Sequence, residues 1–191
     1  WIGLKEHCDE VGIEFISSPF SLAAVELLER IGVKRYKIGS GEVSNHLMLE
    51  RIAQTGKPVL LSSGMSSFTE IDSALRVLSK YTSDVSIFQC TTSYPTQPEN
   101  WGLNVISDLI KRYDFPIGFS DHSGDIYACL LAAAYGARLF EFHVVFDKEM
   151  FGPDAKSSLN LDQVESLVRG LEQYQLALSN DINKENNVHF R

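Results

Sequence analysis

Residues 57–90 read KPVLLSSGMSSFTEIDSALRVLSKYTSDVSIFQC, and their pattern decides the fold class. Two short runs, PVLLS (58–62) and VSIFQC (85–90), are almost continuously apolar, as expected of strands buried on both faces of a parallel sheet. Between them Ile71, Ala74, Leu75 and Leu78 fall on one face of a helical period, with Thr69 as the expected cap. This is strand, helix, strand. The pattern repeats outward in both directions. Further strands are expected at 13–17 (IEFIS), 35–38 (RYKI), 116–120 (PIGFS) and 138–143 (RLFEFH). Helical faces lie between them: Ala23, Leu27, Leu28 and Ile31; then Leu109 and Ile110; then Ala128, Leu131 and Ala132. A last long helix carries Leu161, Val164, Leu167, Val168 and Leu171.

Repeated βα units without a hairpin signal mean an α/β fold with a parallel sheet. The candidates are a TIM barrel and a doubly wound sheet. Neither GxGxxG nor GxxxxGK[ST] occurs, which leaves the doubly wound option without its usual phosphate loops. A complete barrel needs eight units in about 250 residues. The chain has 191 residues and opens on a helical piece at 3–11. The expectation is a (β/α)8 TIM barrel truncated at its N-terminus, with about six units over residues 1–179 and a polar linker at 180–191.

Composition narrows the partners. Seventeen Lys plus Arg against 25 Asp plus Glu give a net charge of −8, which argues against nucleic acid or an anionic membrane. No apolar run reaches the roughly 18–20 residues of a membrane span. Cys8, Cys90 and Cys129 are scattered and odd in number, the usage expected of reduced thiols in a cytoplasmic protein.

The chemistry of a TIM barrel sits at the carboxyl ends of its strands. Every expected strand here ends in polar residues: Ser17-Ser18, then Lys37 with Gly39-Ser40-Gly41-Glu42, Ser62-Ser63-Gly64, Gln89-Cys90-Thr91-Thr92-Ser93-Tyr94, Ser120-Asp121-His122-Ser123, and Glu141-Phe142-His143. One such end is ordinarily a helix cap; six on one rim point to a site. Lys37 reads as a snorkelling lysine, as a cation aimed at a phosphate or carboxylate, or as a Schiff-base lysine. His122 and His143, each unremarkable alone as a turn or core histidine, end adjacent strands and could converge on one divalent ion left open to substrate. Asp121 and Glu42 are candidates for catalysis or for orienting Lys37 or a histidine. His46 is expected to begin a solvated helix. His7 and His189 lack clustered partners, and Phe68 and Trp101 read as packing.

Six ordered motifs then carry a resemblance: YKIGSGE (36–42), LSSGMSS (61–67), CTTSYPT (90–96), GFSDHSG (118–124), EFHVVFD (141–147) and FGPDAKSSL (151–159). Together they resemble the sialic acid synthase family, which makes N-acetylneuraminic, legionaminic or pseudaminic acid. The resemblance implies condensation of phosphoenolpyruvate with an open-chain N-acetylated hexose, assisted by a divalent metal, typically manganese, with magnesium or cobalt as alternatives. It assigns His122 and His143 as metal ligands. Lys37, Ser40 and Ser120 would hold the phosphate and carboxylate, with Ser18 where the family often has Thr. Glu42 would face the reacting centre, Tyr94 would lie beside the acceptor sugar, and Asp154 belongs to a loop closing over the site. Thr92 stands where neuraminic acid synthases usually have Asn, which opens the acceptor to a 6-deoxy diacetamido sugar as well as N-acetylmannosamine. The family's first two strands supply a Glu and a Lys that this sequence lacks, and its C-terminal antifreeze-like domain reaches across a homodimer. The chain alone is therefore expected to be weak or inactive. Two other readings stand beside this one: an imine-forming aldolase or lyase using Lys37, and a truncated barrel that binds without catalysing.

Overall fold

The computed structural model describes residues 1–182. Six strands, β1 (Tyr36–Ile38), β2 (Val59–Ser62), β3 (Val85–Cys90), β4 (Ile117–Asp121), β5 (Leu139–Val144) and β6 (Ser158–Leu159), form one sheet in chain order, and every pairing is parallel. A doubly wound sheet reverses its strand order at a switch point; this one never does. The helices α1 (Ile2–Val11), α2 (Leu22–Ile31), α3 (His46–Ala53), α4 (Phe68–Leu78), α5 (Leu103–Arg112), α6 (Ile126–Ala134) and α7 (Leu161–Leu178) precede, connect and follow the strands.

The sheet is strongly curled. Lys37 of β1 and Glu141 of β5 meet at 3.4 Å. Four interstrand steps of about 4.8 Å would hold their backbones roughly 19 Å apart in a flat sheet, beyond the reach of two side chains. The result is half a barrel with helices outside. Its core holds Tyr36, Ile38, Leu61, Ile87 and Phe119 from the strands, packed with Val25, Leu49, Ile52, Leu78, Ile106 and Leu109 from the helices. Within the curl an open groove of about 830 Å³ is lined by Ile13, Ile16, Phe88, Leu139, Phe140 and Phe142, among others.

Several expectations are corrected. Residues 13–17 do not form a strand: Ile13 is 64% exposed, and a single backbone bond, 3.5 Å from Lys37 N to Ser17 O, ties the segment to β1, beside the side-chain pair of Glu14 with Arg35. One such backbone bond does not make a ladder, so the apolar run stays irregular. The two-residue β6 was not expected from the sequence; it arises where Ser158 and Leu159 pair with His143 and Val144. Helix α4 is capped by Ser67, not Thr69, because Ser67 and Glu70 close a reciprocal capping box. Ala23 is exposed and Val25 takes its place in the core. His46 does begin an exposed first turn, that of α3. Apart from its first residues, the polar segment expected at 180–191 lies outside the described residues, as does His189. Among the described residues no helix is long and apolar enough to cross a membrane, and all three cysteines are free.

Candidate active site

A cavity of about 300 Å³ opens at the carboxyl ends of β1 to β5. Ser18, Lys37, Ser40, Thr92, Tyr94, Ser120, His122 and His143, all singled out in the sequence, line it together. They come from the ends of β1, β3, β4 and β5 and from the segment before α2, so the curl of the sheet is what assembles them.

The floor is a cation set among hydroxyls. Lys37 is only 8% exposed. Its Nζ donates to Ser62 Oγ at 2.6 Å and to the Ile38 carbonyl at 3.4 Å, and it lies 5.9 Å from the centre of the Phe88 ring. Glu141 joins from the far side, 3.4 Å from Lys37 Nζ, and accepts from Ser120 Oγ at 3.0 Å. Ser40 Oγ accepts from the Gly64 N–H at 3.1 Å. Gly64 must lack a side chain here, since a Cβ would come within 2.9 Å of Ser40 Oγ, 2.9 Å of Cys90 Sγ and 2.8 Å of Thr92 Oγ1. A small residue at this point keeps the cavity open and its backbone donor within reach.

The second half of the site is aromatic. The rings of His122 and His143 stand with centroids 5.2 Å apart, and the Tyr94 ring lies 4.3 Å from His122 and 5.9 Å from His143. His122 is 6% exposed, and burial, its largest influence, holds its imidazole below the ordinary value and therefore neutral. Its Nδ1 sits 3.1 Å from the Thr91 carbonyl. A carbonyl accepts only, so Nδ1 carries the proton and Nε2 keeps its lone pair. That is how a metal-binding histidine is usually oriented. Two imidazoles side by side suit an open divalent site better than a closed structural one. Among the described residues no group of three or more His, Cys, Asp or Glu is placed to hold an ion, so further ligands would be water or substrate oxygens. Cys90 lies close by, 3.9 Å from His122 Nδ1 and 3.7 Å from Ser40 Oγ. Burial pushes its thiol up, away from the thiolate form.

Three expected residues are not brought into the cavity lining. Asp121 lies between Ser120 and His122 on β4, and strand alternation sends its side chain to the opposite face. There it accepts from Ser123 N and Ser123 Oγ, both at 2.9 Å, and holds the loop that follows β4. Burial raises its pKa, against the pull of those bonds. Glu42 belongs to the short turn Ser40–Glu42 and accepts from Asn45 Nδ2 at 2.8 Å. Asp154 precedes another turn, Ala155–Ser157, and its backbone carbonyl accepts from Ser158 Oγ at 2.7 Å. Its charge still contributes, after burial, to raising the Tyr94 phenol. Conversely, Glu141, Ser62 and Cys90 line the cavity without having been assigned a role from the sequence. For Glu141 a signal existed: it stands two residues before His143 on β5, hence on the same face.

A family model, the NeuB family, matches residues 2–183. The chain belongs to the NeuB family. Among its relatives in that family, N,N'-diacetyllegionaminic acid synthase of Campylobacter jejuni is 37% identical over 93% of this chain and 54% of its own length. The N-acetylneuraminate-9-phosphate synthase of Homo sapiens is 36% identical over 92% of this chain and 49% of its own length. The NeuB-family chain thus spans about half the length of the curated relatives it matches. The crystal structure of an N-acetylneuraminic acid synthetase from Leptospira borgpetersenii, in complex with citrate, superposes with a TM-score of 0.92 at 33% identity, covering 96% of this chain and 66% of that one. A truncated 3-deoxy-D-arabino-heptulosonate 7-phosphate synthase from Thermotoga maritima shares the fold, with a TM-score of 0.80 at 19% identity over 94% of this chain and 72% of that one. The curled half-barrel of this NeuB-family chain is accordingly that of the sialic acid synthase barrels.

Proposed function

We propose that the chain is the site-bearing part of a nonulosonic acid synthase, which joins phosphoenolpyruvate to the open-chain aldehyde of an N-acetylated hexose and releases phosphate. The reading rests on one observation above all: a single cavity holds both the Lys37–serine cluster and the His122–His143 pair. The first half suits an anionic enol phosphate, since an ammonium and nearby hydroxyls make charge-assisted bonds to phosphate and carboxylate oxygens. Lys37, Ser40, Ser62 and Ser120 supply those donors, and Ser18 stands at the same wall. The second half suits the aldehyde. His122 and His143 would hold a divalent cation such as manganese, which supplies Lewis acidity at a carbonyl oxygen. Tyr94 and Thr92 stand at the same wall, where the body of the acceptor sugar would rest.

Lys37 and the serines hold the enol with C3 towards the aldehyde carbon. As the new C–C bond forms, C2 becomes electron-poor and open to attack by water. Water adds at C2, and the tetrahedral species loses phosphate by C–O cleavage. The same reading takes the complete protein as a cytoplasmic homodimer built on a full eight-stranded barrel, with a diacetamido-trideoxyhexose or N-acetylmannosamine as acceptor. Lys37 serves here as a fixed cation. Its contacts with Ser62 and Glu141 favour that role over an imine.

The deciding experiment measures phosphate release from phosphoenolpyruvate by the full-length protein, with and without manganese, across a panel of N-acetylated hexoses. Release that needs both metal and sugar is expected, and the best sugar names the product. Release without sugar, or none in a folded protein that binds no manganese, would reject the reading. Borohydride trapping with pyruvate should leave Lys37 unlabelled; covalent labelling would restore the imine enzyme.

A further inference from the structure

Glu141 is the one acidic residue lining the cavity, and Lys37 the one lysine or arginine. The two carboxylate oxygens of Glu141 are divided between the donors expected to take the substrate's anionic groups. Oε2 lies 3.4 Å from Lys37 Nζ, and Oε1 accepts from Ser120 Oγ at 3.0 Å. Glu141 thus already makes, with its own carboxylate, the contacts that an enol phosphate or a free phosphate would make. Both cannot be satisfied together. A phosphate oxygen on Lys37 and Ser120 would sit against the carboxylate, and two like charges at such a distance repel even at a partly wet site. The fold offers the carboxylate somewhere to go. Glu141 also lines the 830 Å³ groove inside the curl, and its side chain is 42% exposed, so a rotation about its own torsions carries it out of the cavity.

We propose that Glu141 is a built-in counter-anion, which holds Lys37 and Ser120 in place before an anionic ligand binds and is displaced when one does. The inference rests on the synthase reading for the identity of the substrate, but not for the presence of an anion site. Before binding, Glu141 keeps a buried ammonium paired and its side chain ordered, which spares the substrate that ordering. After the reaction, the same carboxylate competes with free phosphate for Lys37 and helps to expel it. Glu141 is in this sense a positioning residue before the reaction and a competitor of the product after it.

The test compares binding of inorganic phosphate and of phosphoenolpyruvate to the intact protein, its Glu141→Gln variant and its Glu141→Asp variant, by titration calorimetry. The amide of Gln keeps an acceptor for Ser120 but no charge. Glu141→Gln is expected to bind both anions more tightly, by about ten-fold, the scale of removing one nearby like charge at a partly wet site. Product inhibition by phosphate should strengthen in parallel. Asp keeps the charge but is one methylene shorter and cannot span both donors, so it should fall between the other two. Tighter phosphate binding in Glu141→Gln, with no phosphoenolpyruvate binding by any of the three proteins, would uphold the counter-anion and reject the synthase reading. Unchanged or weaker binding of both anions in Glu141→Gln, in a protein that performs the condensation, would overturn the counter-anion and leave the synthase reading standing. Should Glu141→Gln fail to fold, Glu141→Asp decides alone: affinity raised above the unsubstituted protein upholds the proposal, and unchanged affinity overturns it.

Discussion

Strands β3 and β5 are six residues each, VSIFQC and LFEFHV, with similar apolar content. All six residues of β3 are buried, whereas none of β5 is, and Val144 at its end is exposed. The difference lies in the neighbours. β3 is paired by β2 over Val85–Phe88 on one side and by β4 over Ile87–Cys90 on the other. β5 has β4 on one side and only the two-residue β6 on the other, with the open groove against its inner face. One strand is scaffold. The other carries Glu141 and His143 into a cavity that a ligand can enter. Similar local patterns therefore do different work according to how completely the sheet surrounds them.

The largest expected effect breaks the comparison if it fails. Ile87→Ala, at a fully buried position on β3, should cost about 2–5 kcal/mol of stability in denaturant unfolding, through lost burial and the cavity left behind. Phe140→Ala on half-buried β5 should cost clearly less, about 1–2 kcal/mol, since less apolar area leaves water there. Equal losses would mean that β5 is as much core as β3. Next comes His143→Ala, which should lower manganese affinity by about 100-fold or more, as loss of a ligand must exceed loss of a supporting residue, with the melting temperature hardly changed. Undiminished affinity would remove His143 from the metal site. Lys37→Ala sharpens the contrast from the β1 side. It should weaken phosphoenolpyruvate binding by about 1.5–3 kcal/mol, the scale of a charge-assisted hydrogen bond, and an unchanged isotherm would take Lys37 out of the site. The smallest effect belongs to the scaffold alone. Ser67→Ala removes the capping box of α4 and should cost about 1 kcal/mol in stability while leaving manganese and phosphoenolpyruvate binding intact; altered ligand binding would show that scaffold and site are not separable.

Much of this site was legible because strand ends are legible. Parallel strands advertise themselves as apolar runs, and the polar residues that interrupt them must lie at their ends. Lys37, Ser40, Ser120, His122 and His143 were found that way, and all five line one cavity. Asp121 was a harder case. It sits between two cavity residues, but period-two alternation turns it away, so adjacency in the motif SDHS misled where strand geometry would have corrected it. Glu42 and Asp154 belong to turns beyond strand ends, where no periodicity fixes direction. Their bonds with Asn45 and Ser158 appear only in the folded chain.

Residues 13–17 and 158–159 mark the same boundary within the fold. The first has the apolar content of a strand and makes one backbone bond to the sheet; the second is too short to be read as a strand and pairs with β5. Strand formation needs a partner, and a partner is a property of the tertiary structure. The amino-acid sequence alone determined the α/β class, the order of helices and strands in its middle, the family and most of the polar rim, because these follow from local periodicity and ordered motifs. Only the tertiary structure decided that the sheet curls far enough to bring Lys37 of β1 against Glu141 of β5. That contact joins residues more than a hundred positions apart, and no local pattern encodes it; it depends on the accumulated twist of the strands between them.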